Sequence, residues 1–325
     1  MTIDTEKFRF RRFVEEMAKN GDVEVIESRT PLAAVADRLE GNPNGTWFRN
    51  AGPDGQELAG NVMGSRSRLA ASLGVEERDL LSEVITRLRT PINPVEIDAE
   101  DAPVQQVVLR DNEADLTELP VHLQHGEDGA PYISATLDFA LNPDGGRTNV
   151  GMRRLMLRGR QDAGIDLNAP SDLRAIYGST QGNGDRLPVA FAVGFHPADA
   201  IAALSMTPPA DELALMGGLR GEPVPLVKCA TSDLRVPADA EYIIEGYLDA
   251  EGWTEPEGPY GEYVGYYGRL KQNPVFHLTA ITHREDAVFQ TATIGGRNMA
   301  TTDTAQLCAL RTEQAVWMAL ENAVR

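Results

Sequence analysis

Residues 132–146 read YISATLDFALNPDGG: ten residues rich in aromatic, β-branched and small apolar side chains, ended by an Asn-Pro-Asp-Gly-Gly turn. Runs of the same kind recur as VVLRD (107–111), LPVAFAVGF (187–195), VPLVKC (224–229), AEYIIEGYL (240–248) and PVFHLTAI (274–281). Short strands separated by turns such as NGDR (183–186) predict a barrel or sandwich, with helices inserted near 171–178 and, from Pro197, near 197–205. The preceding hundred residues alternate helix and strand signals. Thr5 is placed to cap a helix running to Lys19, VEVIES follows as a strand, and Thr30-Pro31 opens a second helix. TWFRNAG and ELAGNVMG read as strands around a turn, before helices at 65–74 and 76–90. The expected class is α+β: an N-terminal α/β layer with linker (1–106), a β-rich unit (107–300) and a closing helix (301–325).

Bulk properties narrow the function. At 325 residues with 42% apolar composition, the chain can bury two cores. Thirty basic against 49 acidic residues give a net charge of −19, which argues against nucleic acid or an anionic membrane as partner. Two distant cysteines, Cys229 and Cys308, suit a reducing compartment and exclude a disulfide framework. MTIDTEKFRFRRF has no apolar signal core, and nowhere do eighteen apolar residues run together, so a cytoplasmic protein is expected.

Chemistry concentrates in three stretches. PEGPYGEYVGYY (256–267) sets Glu257 and Glu262 on a loop stiffened by prolines and glycines. RTNVGMRRLMLRG (147–159) carries Asn149 and Arg154 on opposite faces of a regular strand, unless a bulge at Gly151 realigns them. PADELALMGGLRGEP (209–223) offers Asp211, Glu212 and Glu222, either as oxygen ligands for a hard cation or as a solvated acidic face. His122, His125, His196, His277 and His283 show no metal-ligand spacing, so His122 and His125 are read as structural hydrogen-bonding residues. Cys229 is read as a small buried residue, and no dinucleotide, P-loop or nucleophile-elbow motif occurs.

Taken in order, Asn149-x-x-x-x-Arg154, GEPVPLVKCATSDLRVPADAEYIIEG (221–246) and PEGPYGEYVGYY resemble the UbiD family of reversible decarboxylases. LPVHLQHGEDGAPYISATLDFALNPDGG (119–146) and LPVAFAVGFHPA (187–198) are similar to the same family's segments, from about residue 8 onward. The resemblance implies an N-terminal α/β domain followed by a split β-barrel that binds prenylated FMN. It implies that Arg154, Glu257 and Glu262 are catalytic, with Glu262 the proton donor and Glu257 the partner of Arg154. It implies that Asn149, Met152, Arg153, Arg154, Ser171, Ser205, Met206 and Glu212 hold the cofactor. A divalent metal, Mn²⁺ or Mg²⁺, would sit on Asn149, Asp172 and Glu212, with K⁺ near Ser205 and Met206. Asp172 stands where the family has histidine.

The substrate so implied is an aromatic or α,β-unsaturated acid, with CO₂ as the other reactant, a flavin prenyltransferase as cofactor supplier, and Tyr263 lining the pocket. Family members continue beyond the helix at 301–325. The sequence is therefore expected to be a fragment, one part of an enzyme split between two chains, or a shortened homologue, and the expected partner is a further copy in a homo-oligomer or a second chain supplying the C-terminal domain. Rival readings are a subunit that keeps the flavin fold without the chemistry, and an FMN reductase-like protein, which would need neither both glutamates nor the Asn-Arg strand.

Overall fold

The computed structural model describes residues 3–143, 146–181, 183–205 and 211–324. Six strands close into a barrel in the order Tyr242–Leu248, Leu187–Val193, Tyr132–Leu141, Thr148–Leu157, Asp162–Ile165 and Val275–His283. The last strand pairs back onto the first, with Ile244 opposite Ile281. Closure leaves the barrel without an open edge. Val107–Arg110 adds a further strand outside the ring, on Val275–His283.

The apolar runs are nearly continuous because both faces of these strands are buried. Val189, Phe191 and Val193 join one core, while Ala190 and Ala192 of the same strand join another. The first core includes the barrel residues Leu155, Ile165, Ile244 and Phe276, with Phe191 and Phe276 edge-to-face at 5.1 Å. The second packs Leu137, Phe139 and Ile243 against Leu213, Met216 and Leu219 of the helix Glu212–Arg220. The closing helix, Asp303–Val324, brings Leu307 and Leu310 to the same core.

The N-terminal layer is a four-stranded sheet of Val23–Ile26, Gly45–Ala51, Gln56–Gly60 and Val288–Thr291. Its last strand arrives after the barrel and runs parallel to Gln56–Gly60. Thr5 does not cap the first helix. That helix is Phe10–Asn20, and its N-cap, Arg9, has no side-chain capping bond. The reason is long-range: Arg9 Nε donates to the buried Glu241 carboxylate at 3.0 Å, and the Thr5 carbonyl accepts from Arg284.

The acidic stretch at 209–223 is not a solvated face. Asp211 caps its helix by accepting from the Leu213 N–H at 3.0 Å, and Leu213–Arg220 are all buried. At the helix end, Arg220 lies between Asp199 and Asp239, at 2.6 and 2.5 Å, with all three side chains essentially inaccessible. Removing the cation leaves two buried carboxylates uncompensated. Arg220→Met should therefore cost about 3–5 kcal/mol in urea unfolding, whereas Arg235→Met, at an exposed ion pair, should cost less than about 1 kcal/mol.

Candidate functional site

Arg154 is the centre. Its Nε lies 3.3 Å from Glu257 Oε1, its Nη2 3.0 Å from Asp166 Oδ2 and its Nη1 3.5 Å from Glu262 Oε1. The face of the guanidinium lies over the Tyr260 ring, 4.4 Å from the centroid. Burial disfavours the charge, but Glu257, Asp166 and Glu262 hold the arginine above its ordinary value. Burial likewise pushes Asp166 upward, and Arg154 and Lys271 overcome that and hold it below the usual carboxylate range.

The two glutamates differ in how they are held. Glu257 is buried and ends the strand Glu255–Glu257, paired with Lys271–Asn273. Its second oxygen accepts from Asn273 Nδ2 at 3.4 Å. Glu262 follows the short strand Tyr260–Gly261, and its side chain is a quarter exposed. Tyr263 is exposed beside it.

The loop is stiff because other segments brace it. Asp128 Oδ1 accepts from the Gly261 N–H at 2.8 Å, and Asp128 Oδ2 accepts from the His125 N–H at 2.9 Å. A Cβ at Gly261 would come within 2.3 Å of His125 Nδ1, so only glycine admits this approach. His122 and His125 are both hydrogen-bonded, the former to the Leu123 carbonyl and Thr291 Oγ1.

On the Arg154 strand no bulge forms at Gly151. Pairing with Tyr132–Leu141 runs unbroken from Thr148 to Arg153, and the register shift lies on the partner between Ile133 and Thr136. Asn149 and Arg154 therefore stay on opposite faces. Gly151 makes room for Asp138, whose Oδ1 would lie 2.8 Å from a Cβ there.

Asp138 is fully buried; its Oδ2 accepts from Asn149 Nδ2 at 2.9 Å. Its Oδ1 is 3.3 Å from Arg153 Nε without hydrogen-bond geometry, and both atoms lack a partner. Glu212 accepts from the Val150 N–H. Burial, with the charges of Asp172 and Asp138, pushes its carboxyl up to about 7 against that hydrogen bond. Asn149, Asp138, Asp172 and Glu212 thus share one electrostatic neighbourhood. Among the described residues no three His, Cys, Asp or Glu side chains converge as a formed ligand shell.

Of the other cofactor candidates, Met152 packs against the core shared with Val150, and Ser171 Oγ accepts from the Arg174 N–H at 3.3 Å. Ser205 Oγ donates to the Ile201 carbonyl at 2.7 Å, and Met206 lies outside the described residues. Asp166, Lys271, Asn273 and Tyr260 carry no local motif, because their pairings with Arg154 and Glu257 span distant parts of the chain. Asp138 had a signal in the sequence: it is the one charge inside an otherwise apolar strand.

Asp128→Ala should loosen this loop. The unpaired Gly261 N–H costs about 1–3 kcal/mol at any pH. A second contribution comes from His125, which burial pushes down but Asp128 holds above its ordinary value. That part is complete below about pH 6.5 and fades as pH rises through the raised folded-state value. The stability gap between wild type and Asp128→Ala should narrow, without closing, from pH 6 to pH 9 in thermal unfolding.

A family profile described as "3-octaprenyl-4-hydroxybenzoate carboxy-lyase Rift-related domain", of the UbiD family, matches residues 95–298. The UbiD-class enzyme HmfF from Pelotomaculum thermopropionicum, solved with FMN, is similar over 97% of this chain and 70% of its own, with 30% identity and a TM-score of 0.89. An evolved dimeric form of that enzyme, solved with prFMN, matches 95% of this chain and 71% of its own, at 29% identity and a TM-score of 0.86. The apo 3,4-dihydroxybenzoic acid decarboxylase from Enterobacter cloacae matches 98% of this chain and 70% of its own, at 26% identity and a TM-score of 0.86.

Proposed function

This chain belongs to the UbiD family, and on that premise we propose that it is a reversible, non-oxidative decarboxylase of an aromatic or α,β-unsaturated carboxylic acid, working with prenylated FMN. The observation that carries the reading is the partly buried Arg154 guanidinium, bordered by Glu257, Asp166 and Glu262. A fixed cation binds and orients the substrate carboxylate. When bound, the prenylated flavin supplies the sink for the electrons that CO₂ leaves behind.

The proton falls to Glu262. Its contact with Arg154 is the longest of the three and its side chain is the most exposed of them, so an incoming carboxylate displaces it most easily. Once released, it would take a proton from solvent, to which it is a quarter open, deliver it to the carbon that loses CO₂, and take one back in the reverse direction. Glu257, inaccessible and tied to Asn273, keeps Arg154 in place. Asp166, itself held by Lys271, pairs with the same guanidinium.

The oxygen donors near Asn149 suit a hard divalent cation. Mn²⁺ or Mg²⁺ would be held by Asn149, Glu212 and Asp172. What supports this reading is that three carboxyl groups, Asp138, Asp172 and Glu212, act on one another here, with Arg153 3.3 Å from Asp138. Arg153, whose Nε is unpaired, would face the flavin phosphate with Met152 and Ser171 nearby. K⁺ would sit near Ser205.

Tyr263, Tyr266 and Leu270 are exposed next to Glu262, which supports a self-associated chain or a second chain as the remaining substrate wall. A flavin prenyltransferase would supply the cofactor. No helix among the described residues is long and apolar enough to cross a membrane. With two free cysteines, we place the protein in the cytoplasm.

Exchange of ¹³C-labelled CO₂ into the carboxylate of candidate acids tests the reading, using protein co-expressed with a flavin prenyltransferase. Glu262→Gln should lower exchange by at least about a hundredfold, as for loss of a general acid, with flavin content unchanged. Exchange at the wild-type rate would remove Glu262 from the chemistry.

A further inference from the structure

Arg154 is gripped along its edge by carboxylates, and its plane is also covered from one side. One face lies on Tyr260, which is 1% exposed and whose ring centroid is 4.4 Å from the guanidinium carbon. Tyr132 packs at 4.2 Å from Tyr260, tilted by 47°, so the ring cannot slide away on that side. The hydroxyl of Tyr260 donates to Gln124 Oε1.

Gln124 is itself oriented. Its Nε2 donates to the Ala292 carbonyl at 3.1 Å and to Thr291 Oγ1 at 3.3 Å, so its oxygen must face the tyrosine. Thr291 Oγ1 lies 3.1 Å from His122 Nε2 and 3.0 Å from Ser134 Oγ. His122 Nδ1 lies 3.1 Å from the Leu123 carbonyl, which assigns the ring proton to Nδ1 and leaves Nε2 to accept from the threonine. A phenol that donates its proton to an acceptor gains electron density in the ring, and that strengthens its attraction for a cation lying on the face.

We propose that Tyr260, anchored through its hydroxyl by Gln124, is a positioning residue that sets the plane of the Arg154 guanidinium and thereby the direction from which a substrate carboxylate is received. The consequence for turnover rests on the decarboxylase reading above; the geometric claim stands without it. Burial keeps the phenol protonated, well above its ordinary value, so the hydroxyl stays a donor across the working range. The chain from Thr291 to Arg154 links the last strand of the N-terminal sheet to the site through side chains alone. None of its members besides Arg154 belongs to the catalytic set.

Two readouts test this. The first needs no turnover: the Nε–H resonance of Arg154 in ¹⁵N-arginine-labelled protein, assigned by its loss in Arg154→Lys. The ring face should displace this signal in wild type. Tyr260→Leu should abolish the displacement, and Tyr260→Phe, which keeps the ring but frees it from Gln124, should give an intermediate value.

The second is the split between KM and kcat in the flavin-loaded enzyme. KM should rise roughly tenfold to thirtyfold in Tyr260→Leu and a few-fold in Tyr260→Phe, with kcat held, because the arginine binds a feature present in the ground state. Gln124→Leu should match Tyr260→Phe and add nothing to it in the double variant, since both act through one bond. A Tyr260→Leu protein that keeps the wild-type Arg154 signal and KM would overturn the proposal. Loss of kcat alone would also contradict it, as general destabilisation does not produce a KM effect. If wild type turns over no acid, the decarboxylase reading is at fault, and the Arg154 signal alone decides the positioning claim.

Discussion

The strand Val275–His283 is the constraint on which the rest depends. It pairs with Tyr242–Leu248, Asp162–Ile165 and Val107–Arg110, and so closes the ring and carries the extra strand. Just before it, Lys271–Asn273 pairs with Glu255–Glu257 and fixes Glu257 beside Arg154. Just after it, Val288–Thr291 completes the N-terminal sheet. One continuous stretch of backbone therefore sets the barrel, the loop that carries Glu257 and Glu262, and the docking of the first layer. A register slip there would turn every side chain of the strand to its opposite face.

Around that frame three of the enclosed arginines each meet more than one acid. Arg154 faces Glu257, Asp166 and Glu262, Arg220 faces Asp199 and Asp239, and Arg9 faces Glu241 and Asp286. At Arg220 every partner is sealed, and the result is structural. At Arg154 one partner is a quarter exposed, so the set can open. In the proposed reaction this difference in accessibility is what separates a working arginine from a structural one. Near Asn149 the balance runs the other way: Asp138, Asp172 and Glu212 act on one another, with Arg153 beside Asp138, and the proposed divalent cation rests on that excess of acid.

Much of this was legible before any coordinates. Runs of aromatic, β-branched and small apolar residues such as YISATLDFAL and LPVAFAVGF, broken by turn residues, expose the β-rich unit. The proline and glycine around Glu257 and Glu262 reveal a shaped loop. The family resemblance singled out Arg154 with both glutamates, and the fold does bring the three together. What was not legible depends on contacts between distant segments. Thr5 looks like a cap, but Arg9 and Arg284 engage Glu241 and Glu6 instead. Asp211 and Glu212 look solvated in a chain this acidic, because nothing local says that their helix lies under a barrel wall. Asp166, Lys271 and Asn273 acquire meaning only from strand pairing.

The most direct test of the account is native mass spectrometry of this chain, co-expressed with a flavin prenyltransferase and supplied with Mn²⁺. The account predicts a bound mass equal to prenylated FMN plus one metal ion, lost together on unfolding. Plain FMN alone, when prenylated FMN is available, would contradict it and shift weight to reductase-type chemistry. Protein that stays empty would contradict it too, since the buried Arg154 set would then serve a role other than decarboxylation.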